Sequence, residues 1–108
     1  MQSYQVKNTY RYVIVKVNTH EQLETCLEKA VLELWGLRGL AETGLNVVYI
    51  DERKGLAVIR VRREGLHLLR AALAAYPKPI VRIIKVAGTL RKAEKIAESL
   101  STVYTPEV

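Results

Sequence analysis

A single cysteine, Cys26, stands in this chain of 108 residues, so no internal disulfide can form and nothing points to an oxidising compartment. Long hydrophobic runs are missing as well. Lys, Arg or Glu interrupts each apolar stretch well before the roughly 20 residues that a membrane helix needs. The opening MQSYQVKNTY contains no apolar signal segment. The expectation is a soluble, cytoplasmic protein with no membrane partner. Histidine is scarce: His20 and His67 fall in different elements, and no Cys or His sits at metal-ligand spacing, so no metal site is expected. His20 reads as a solvated surface residue and His67 as a surface or boundary residue. Cys26, beside Leu27 on a helix, reads as a small, partly buried side chain rather than a nucleophile. Dinucleotide, Walker and nucleophile-elbow signatures are all absent. No catalytic residue is therefore assigned.

What the chain has in excess is positive charge, and it is unevenly placed. The net charge is +6. Residues 1–52 carry five Lys/Arg against seven Asp/Glu, a net of −2, whereas residues 53–108 carry twelve against four, a net of +8. A basic surface gathered in one half suits a polyanion, because each phosphate it neutralises releases counterions. A solvated surface adapted to heat is the competing explanation of the same residues.

Apolar residues make up 49% of the chain, enough for one packed interior. Residues 1–9 are polar and expected to be a flexible segment. Tyr10 to Val17 alternates, with Val13, Val15 and Val17 on one face and Tyr12, Ile14 and Lys16 on the other, which predicts a half-buried strand. Thr19 with Gln22 three residues on predicts a capping box, then a helix with a stripe of Leu23, Leu27, Ala30, Val31 and Leu34 that ends near Trp35 at Gly36 and Gly39. Leu45 to Ile50 reads as a second strand, Asp51 to Gly55 as a hairpin turn, and Leu56 to Arg62 as a third strand. Glu64 to Tyr76 returns to helical spacing and stops at Pro77. Ile80 to Val86 is a fourth strand. Gly88-Thr89 caps a last helix with a stripe of Leu90, Ala93, Ala97 and Leu100. The predicted class is α+β: a ferredoxin-like or RNA-recognition-motif-like βαββαβ sandwich over residues 10–101, with a four-stranded antiparallel sheet, an additional C-terminal helix and a tail at 102–108. Acylphosphatases share this plan but cradle phosphate in a glycine loop after the first strand, where Asn18-Thr19-His20 offers none.

RNA-recognition motifs carry stacking aromatics on the third strand. Here Lys54-Gly55-Leu56-Ala57-Val58-Ile59-Arg60-Val61 keeps the basic and small positions and replaces every aromatic by an aliphatic side chain, so base-by-base reading on that strand is not expected. In its place stands an apolar face of Ile14, Leu56 and Val58 with Tyr12 beside them. A contiguous apolar face marks either a protein-partner site or a surface covered by the last helix through Leu90, Ala93 and Leu100. Both hold if each takes one edge. Phosphate contacts are expected from Arg60, Arg62 and Arg63 at the exit of strand three and from Arg82 and Lys85 on strand four. Arg91, Lys92 and Lys95 open the last helix, where the backbone at Gly88 and Thr89 is also suited to a phosphate.

Several of these segments together resemble a family. Arg11-Tyr12-Val13-Ile14, Trp35-Gly36-Leu37-Arg38-Gly39, Tyr49-Ile50-Asp51, the strand Gly55 to Arg62, and Val86-Ala87-Gly88-Thr89-Leu90-Arg91-Lys92-Ala93-Glu94 are similar to ribonuclease P protein component 2, an archaeal family with a eukaryotic counterpart. The resemblance covers about residues 10–97. It implies a non-catalytic protein subunit, in a complex whose RNA removes the 5′ leader of precursor tRNA with Mg²⁺ held by RNA, and no cofactor bound by the protein. It also implies ribonuclease P RNA, precursor tRNA, the barrel-shaped protein component 3 and other protein subunits as partners. Carried onto this chain, it puts Arg62, Gly88, Thr89, Arg91 and Lys92 on the RNA surface and Ile14, Leu56 and Val58 at the protein interface. Two other readings remain: a stand-alone RNA-binding domain, and a small-molecule regulatory domain of ACT type, which shares the strand order.

Overall fold

The computed structural model describes residues 9–19 and 21–103, with side chains through Leu100. Alternation along the strands gives the sheet two apolar faces, and helices cover both. The strands are β1 (Tyr10–Val17), β2 (Asn46–Asp51), β3 (Leu56–Arg62) and β4 (Val81–Ala87); the helices are α1 (Leu23–Thr43), α2 (Leu66–Ala75) and α3 (Leu90–Val103). The sheet order is β2-β3-β1-β4, with every pairing antiparallel. This is the ferredoxin-like arrangement expected from the sequence.

The first face packs under α1 and α2. Val13 and Val15 of β1 meet Ala57, Ile59 and Val61 of β3, and Leu27, Ala30, Val31, Leu69 and Ala72 close the layer from above. The second face holds a smaller core of Ile14, Val58, Ala87 and Ala93, with Tyr12, Val48, Tyr49, Ile84, Leu90, Ile96 and Leu100 packed around it. Between them β1 and β3 are buried from both sides at Val13 to Val15 and Leu56 to Ile59, so the half-buried strand expected at Tyr10 to Val17 is corrected to one covered on both faces. On the edge strand β4 the register shifts opposite Ile14 and Val15, a bulge of the kind that discourages an edge from pairing further.

Three local expectations are corrected. Thr19 does not cap α1: its hydroxyl accepts from the Glu21 N–H at 3.1 Å, and the helix starts after Gln22. Nor does α1 end at Gly36. That residue adopts φ 79°, which only glycine takes without strain, and the helix bends there and resumes to Thr43. Trp35 secures the bend by donating its indole N–H to the Leu68 carbonyl of α2 at 3.0 Å. Leu34, placed in the buried stripe by its spacing, is consequently exposed. The third correction is at α2, which starts at Leu66 behind a 3₁₀ turn, Arg63–Gly65, rather than at Glu64. Gly44 closes α1 in the left-handed conformation, φ 54°. A Cβ there would lie 2.9 Å from the Nε of Arg62, so the backbone turn and that arginine are fitted to each other. Residues 1–8, His20 and 104–108, with the readings made of them, lie outside the described residues; α3 runs two residues past the expected boundary at 101.

Candidate nucleic-acid interface

Antiparallel pairing decides which charges meet. Tyr10 lies opposite Arg62, Tyr12 opposite Arg60, and Tyr12 on its other side opposite Ala87. The start of β1, the end of β3 and the end of β4 therefore converge, and the turn Gly88-Thr89 puts the first residues of α3 at the same end. Thr89 fixes that start: its hydroxyl accepts from the Lys92 N–H at 3.2 Å and its carbonyl from the Ala93 N–H at 3.1 Å. Arg60, Arg62 and Arg63 from β3 and its exit thus share one end of the sheet with Gly88, Thr89, Arg91, Lys92 and Lys95. Lys85 lies two residues up the edge strand, opposite Ile14.

Except for partly buried Arg60, these side chains are exposed. The ion pair among the described residues is elsewhere, Lys54 to Asp51 at 3.4 Å in the hairpin turn. None of Arg60, Arg62, Arg63, Lys85, Arg91, Lys92 or Lys95 takes part in an ion pair among the described residues. Cations gathered at one end without carboxylate partners raise the local potential and suit phosphates. Arg62 lies along Gly44 and shares an open hollow with Arg38, Ala41, Glu42 and Glu64, so its charge is balanced more than that of the α3 lysines. Arg60 is held differently: its guanidinium carbon stands 4.6 Å from the centroid of the Tyr10 ring, and its buried Nε has no hydrogen-bond partner among the described residues. The Tyr10 ring was not singled out from the sequence. The signal was there in the two-residue alternation that puts Tyr10 on the face of Tyr12, but its pairing with strand three requires the register.

The expected protein-partner face is corrected. Ile14 and Val58 are 0% exposed and Leu56 is 1% exposed, and Tyr12 is partly buried against the same core. Ala93 and Ala97, small enough to let α3 lie close to the sheet, are buried with them. Ile14 and Val58 are core under α3, Tyr12 packs at its margin, and Leu56 is buried on the same strand face. The exposed large apolar side chains lie elsewhere: Leu32, Leu34, Trp35 and Leu37 on α1, with Leu37 76% exposed, and Ile50 in the hairpin.

The described residues hold no group of three His, Cys, Asp or Glu that could bind a metal, and no helix among them is long and apolar enough to cross a membrane. His67 is exposed on α2. Burial raises the pKa of Cys26, and a hydrogen bond from its thiol to Glu21 at 3.3 Å adds to the effect, so the thiol is held protonated and poorly nucleophilic.

Comparison with known proteins bears on this arrangement. The sequence pattern of the Rpp14/Pop5 family matches residues 5–98. The ribonuclease P/MRP protein subunit POP5 of Schizosaccharomyces pombe (strain 972 / ATCC 24843) is 33% identical over 86 residues, covering 73% of this chain and 62% of that protein. The chain thus spans less than two thirds of that relative. A chain in the cryo-EM structure of yeast ribonuclease MRP has the same fold, with a TM-score of 0.60 at 13% identity over 93% of this chain and 97% of that one.

Proposed function

The chain belongs to the Rpp14/Pop5 family, and from that membership we propose that it is a protein subunit of a ribonuclease P type ribonucleoprotein, in the archaeal form the subunit called component 2. In this reading it binds the catalytic RNA and a partner protein and supports removal of the 5′ leader from precursor tRNA. The observation that supports it is the cationic sheet end: Arg60, Arg62 and Arg63 lie at the end of β3, the neighbouring end of β4 leads into Arg91, Lys92 and Lys95, and none of the six forms an ion pair among the described residues. Mg²⁺ belongs to the RNA, and the protein contributes phosphate contacts that hold the RNA in its working shape. A partner such as component 3 meets the molecule away from the sheet, on α1, where Leu34, Trp35 and Leu37 leave apolar surface uncovered.

The test is reconstitution. With ribonuclease P RNA, precursor tRNA and the other protein subunits, adding this chain is expected to accelerate 5′-leader cleavage, and the R62Q/R91Q/K92Q variant is expected to do so less at moderate salt. A folded chain that neither joins the complex nor changes the cleavage rate overturns the reading.

A further inference from the structure

The sheet end carries a feature that phosphate binding alone does not use. Among the described residues Arg60 has no carboxylate ion-pair partner; its partner is a ring. The guanidinium lies over Tyr10 at 4.6 Å, on the sheet face whose core under α3 takes in Tyr12. The two residues come from neighbouring strands as a diagonal pair two residues out of register, since Tyr12 and not Tyr10 is the direct partner of Arg60. Both remain partly accessible. A flat cation resting on a flat ring is pre-oriented, and its edge N–H groups keep their capacity for an acceptor.

We propose that Tyr10 and Arg60 form a platform for one unpaired nucleotide of RNA, the base lying against the stack and its phosphate taken by the guanidinium edge. A base inside a duplex has both faces covered and cannot use such a platform, whereas a base in a loop, bulge or single-stranded end can. The platform lies at the strand end, beyond the buried positions Leu56 and Val58 where stacking aromatics of β3 would stand: the ring is supplied by β1 and the cation by β3. Arg91 and Lys92, at the start of α3 on the same end of the sheet, are placed for the phosphates that follow. The proposal rests on the RNA-binding reading above and specifies which RNA that surface prefers.

The experiment compares the full chain with Tyr10→Leu, Tyr10→Phe and Arg60→Lys variants on two probes: an unstructured RNA carrying 2-aminopurine, and a blunt duplex of the same sequence. Thermal melts verify that each variant is folded. Base–aromatic stacking energies correspond to roughly 5- to 150-fold in affinity. Tyr10→Leu is expected to lose a factor in that range on the unstructured probe, with its 2-aminopurine quenching, and little on the duplex. Tyr10→Phe is expected to keep both, and Arg60→Lys to keep the duplex affinity and lose the quenching. Equal losses on both probes, or no loss in Tyr10→Leu, overturn the platform. The R62Q/R91Q/K92Q variant separates the two readings: if it loses affinity on both probes while Tyr10→Leu loses none, the cationic surface stands and the platform falls. A wild-type chain that binds neither RNA sinks both, and a preference for phosphopeptide over RNA reassigns the site to a protein partner.

Discussion

Replacing Arg62, Arg91 and Lys92 together by glutamine removes three exposed cations and keeps most of each side-chain stem, so the stem of Arg62 along Gly44 is largely preserved. If each cation neutralises one phosphate, the slope of log affinity against log salt becomes shallower by about 0.9 per contact for a duplex, or about 2.7 in all. Raising salt fourfold, from about 50 to about 200 mM, then weakens wild-type binding about 40-fold more than it weakens the variant's. The two affinities therefore lie far apart at low salt and converge as salt rises. Fluorescence anisotropy with labelled ribonuclease P RNA, titrated at several salt concentrations, reads both slopes. Arg70 and Lys78, exposed in and after α2, serve as controls whose replacement should leave the slope unchanged. Parallel lines for the triple variant and wild type would refute the reasoning, and so would a control that flattens the slope equally.

The second core under α3 should matter for stability: Ile14→Ala removes a fully buried side chain and is expected to destabilise by about 2–5 kcal/mol, a drop of roughly 10–20 °C in Tm by calorimetry. Gly36→Ala meets no atom within 4 Å yet forces an alanine to a φ of 79°, so a loss of about 1–2 kcal/mol in chemical denaturation is expected, from backbone strain alone. Leu37→Ser, at a 76% exposed position, should leave Tm nearly unchanged and the RNA salt slope intact while weakening co-elution with protein component 3; undiminished co-elution places that contact elsewhere. The Cys26 thiol should react with a thiol reagent more slowly than a free cysteine near pH 8, and Glu21→Gln should move its titration down, since the carboxylate favours the protonated thiol. Because the folded pKa is the raised one, whatever stability this contributes is present below the unfolded thiol's pKa and fades as pH climbs through the folded value.

Strand alternation was the most legible part of this fold. Val13 and Val15 against Ile14, and Ala57, Ile59 and Val61 against Val58, divide between the two cores as their spacing requires. Start and stop signals were less dependable, because they compete with tertiary contacts. Gly36 looks like the end of a helix, yet the Trp35 bond to Leu68 and the packing beyond it carry α1 seven residues further. Thr19 and Gln22 have capping-box spacing, but the threonine hydroxyl is satisfied by Glu21 before the helix begins. At the site, sequence proximity revealed the basic run of β3 and the basic start of α3. It could not reveal the stack of Arg60 on Tyr10, which joins residues fifty positions apart through the register of β1 against β3.

The error about the apolar face follows from the same limit and carries a consequence for recognition. Alternation shows that Ile14 and Val58 share a face, but whether water, a partner or the chain's own helix covers that face depends on where α3 goes after Gly88. The α3 side toward the sheet carries Ala93 and Ala97, so the helix lies close and the broad surface that RNA-recognition motifs offer to bases is filled by protein. A fold whose sheet face is filled in this way leaves its strand ends and edges, rather than that face, for a nucleic acid. Strand ends present side chains in a row rather than a plane, which favours cations following a backbone over rings reading a succession of bases. The concentration of arginine and lysine from residue 53 onward, and the single Tyr10 ring under Arg60 at the strand end, are both what that geometry permits. Ala93→Leu, which would lift α3 from the sheet, should therefore lower stability and bare an apolar face whose rings, Tyr12 on β1 and Tyr49 on β2, flank a β3 that carries none.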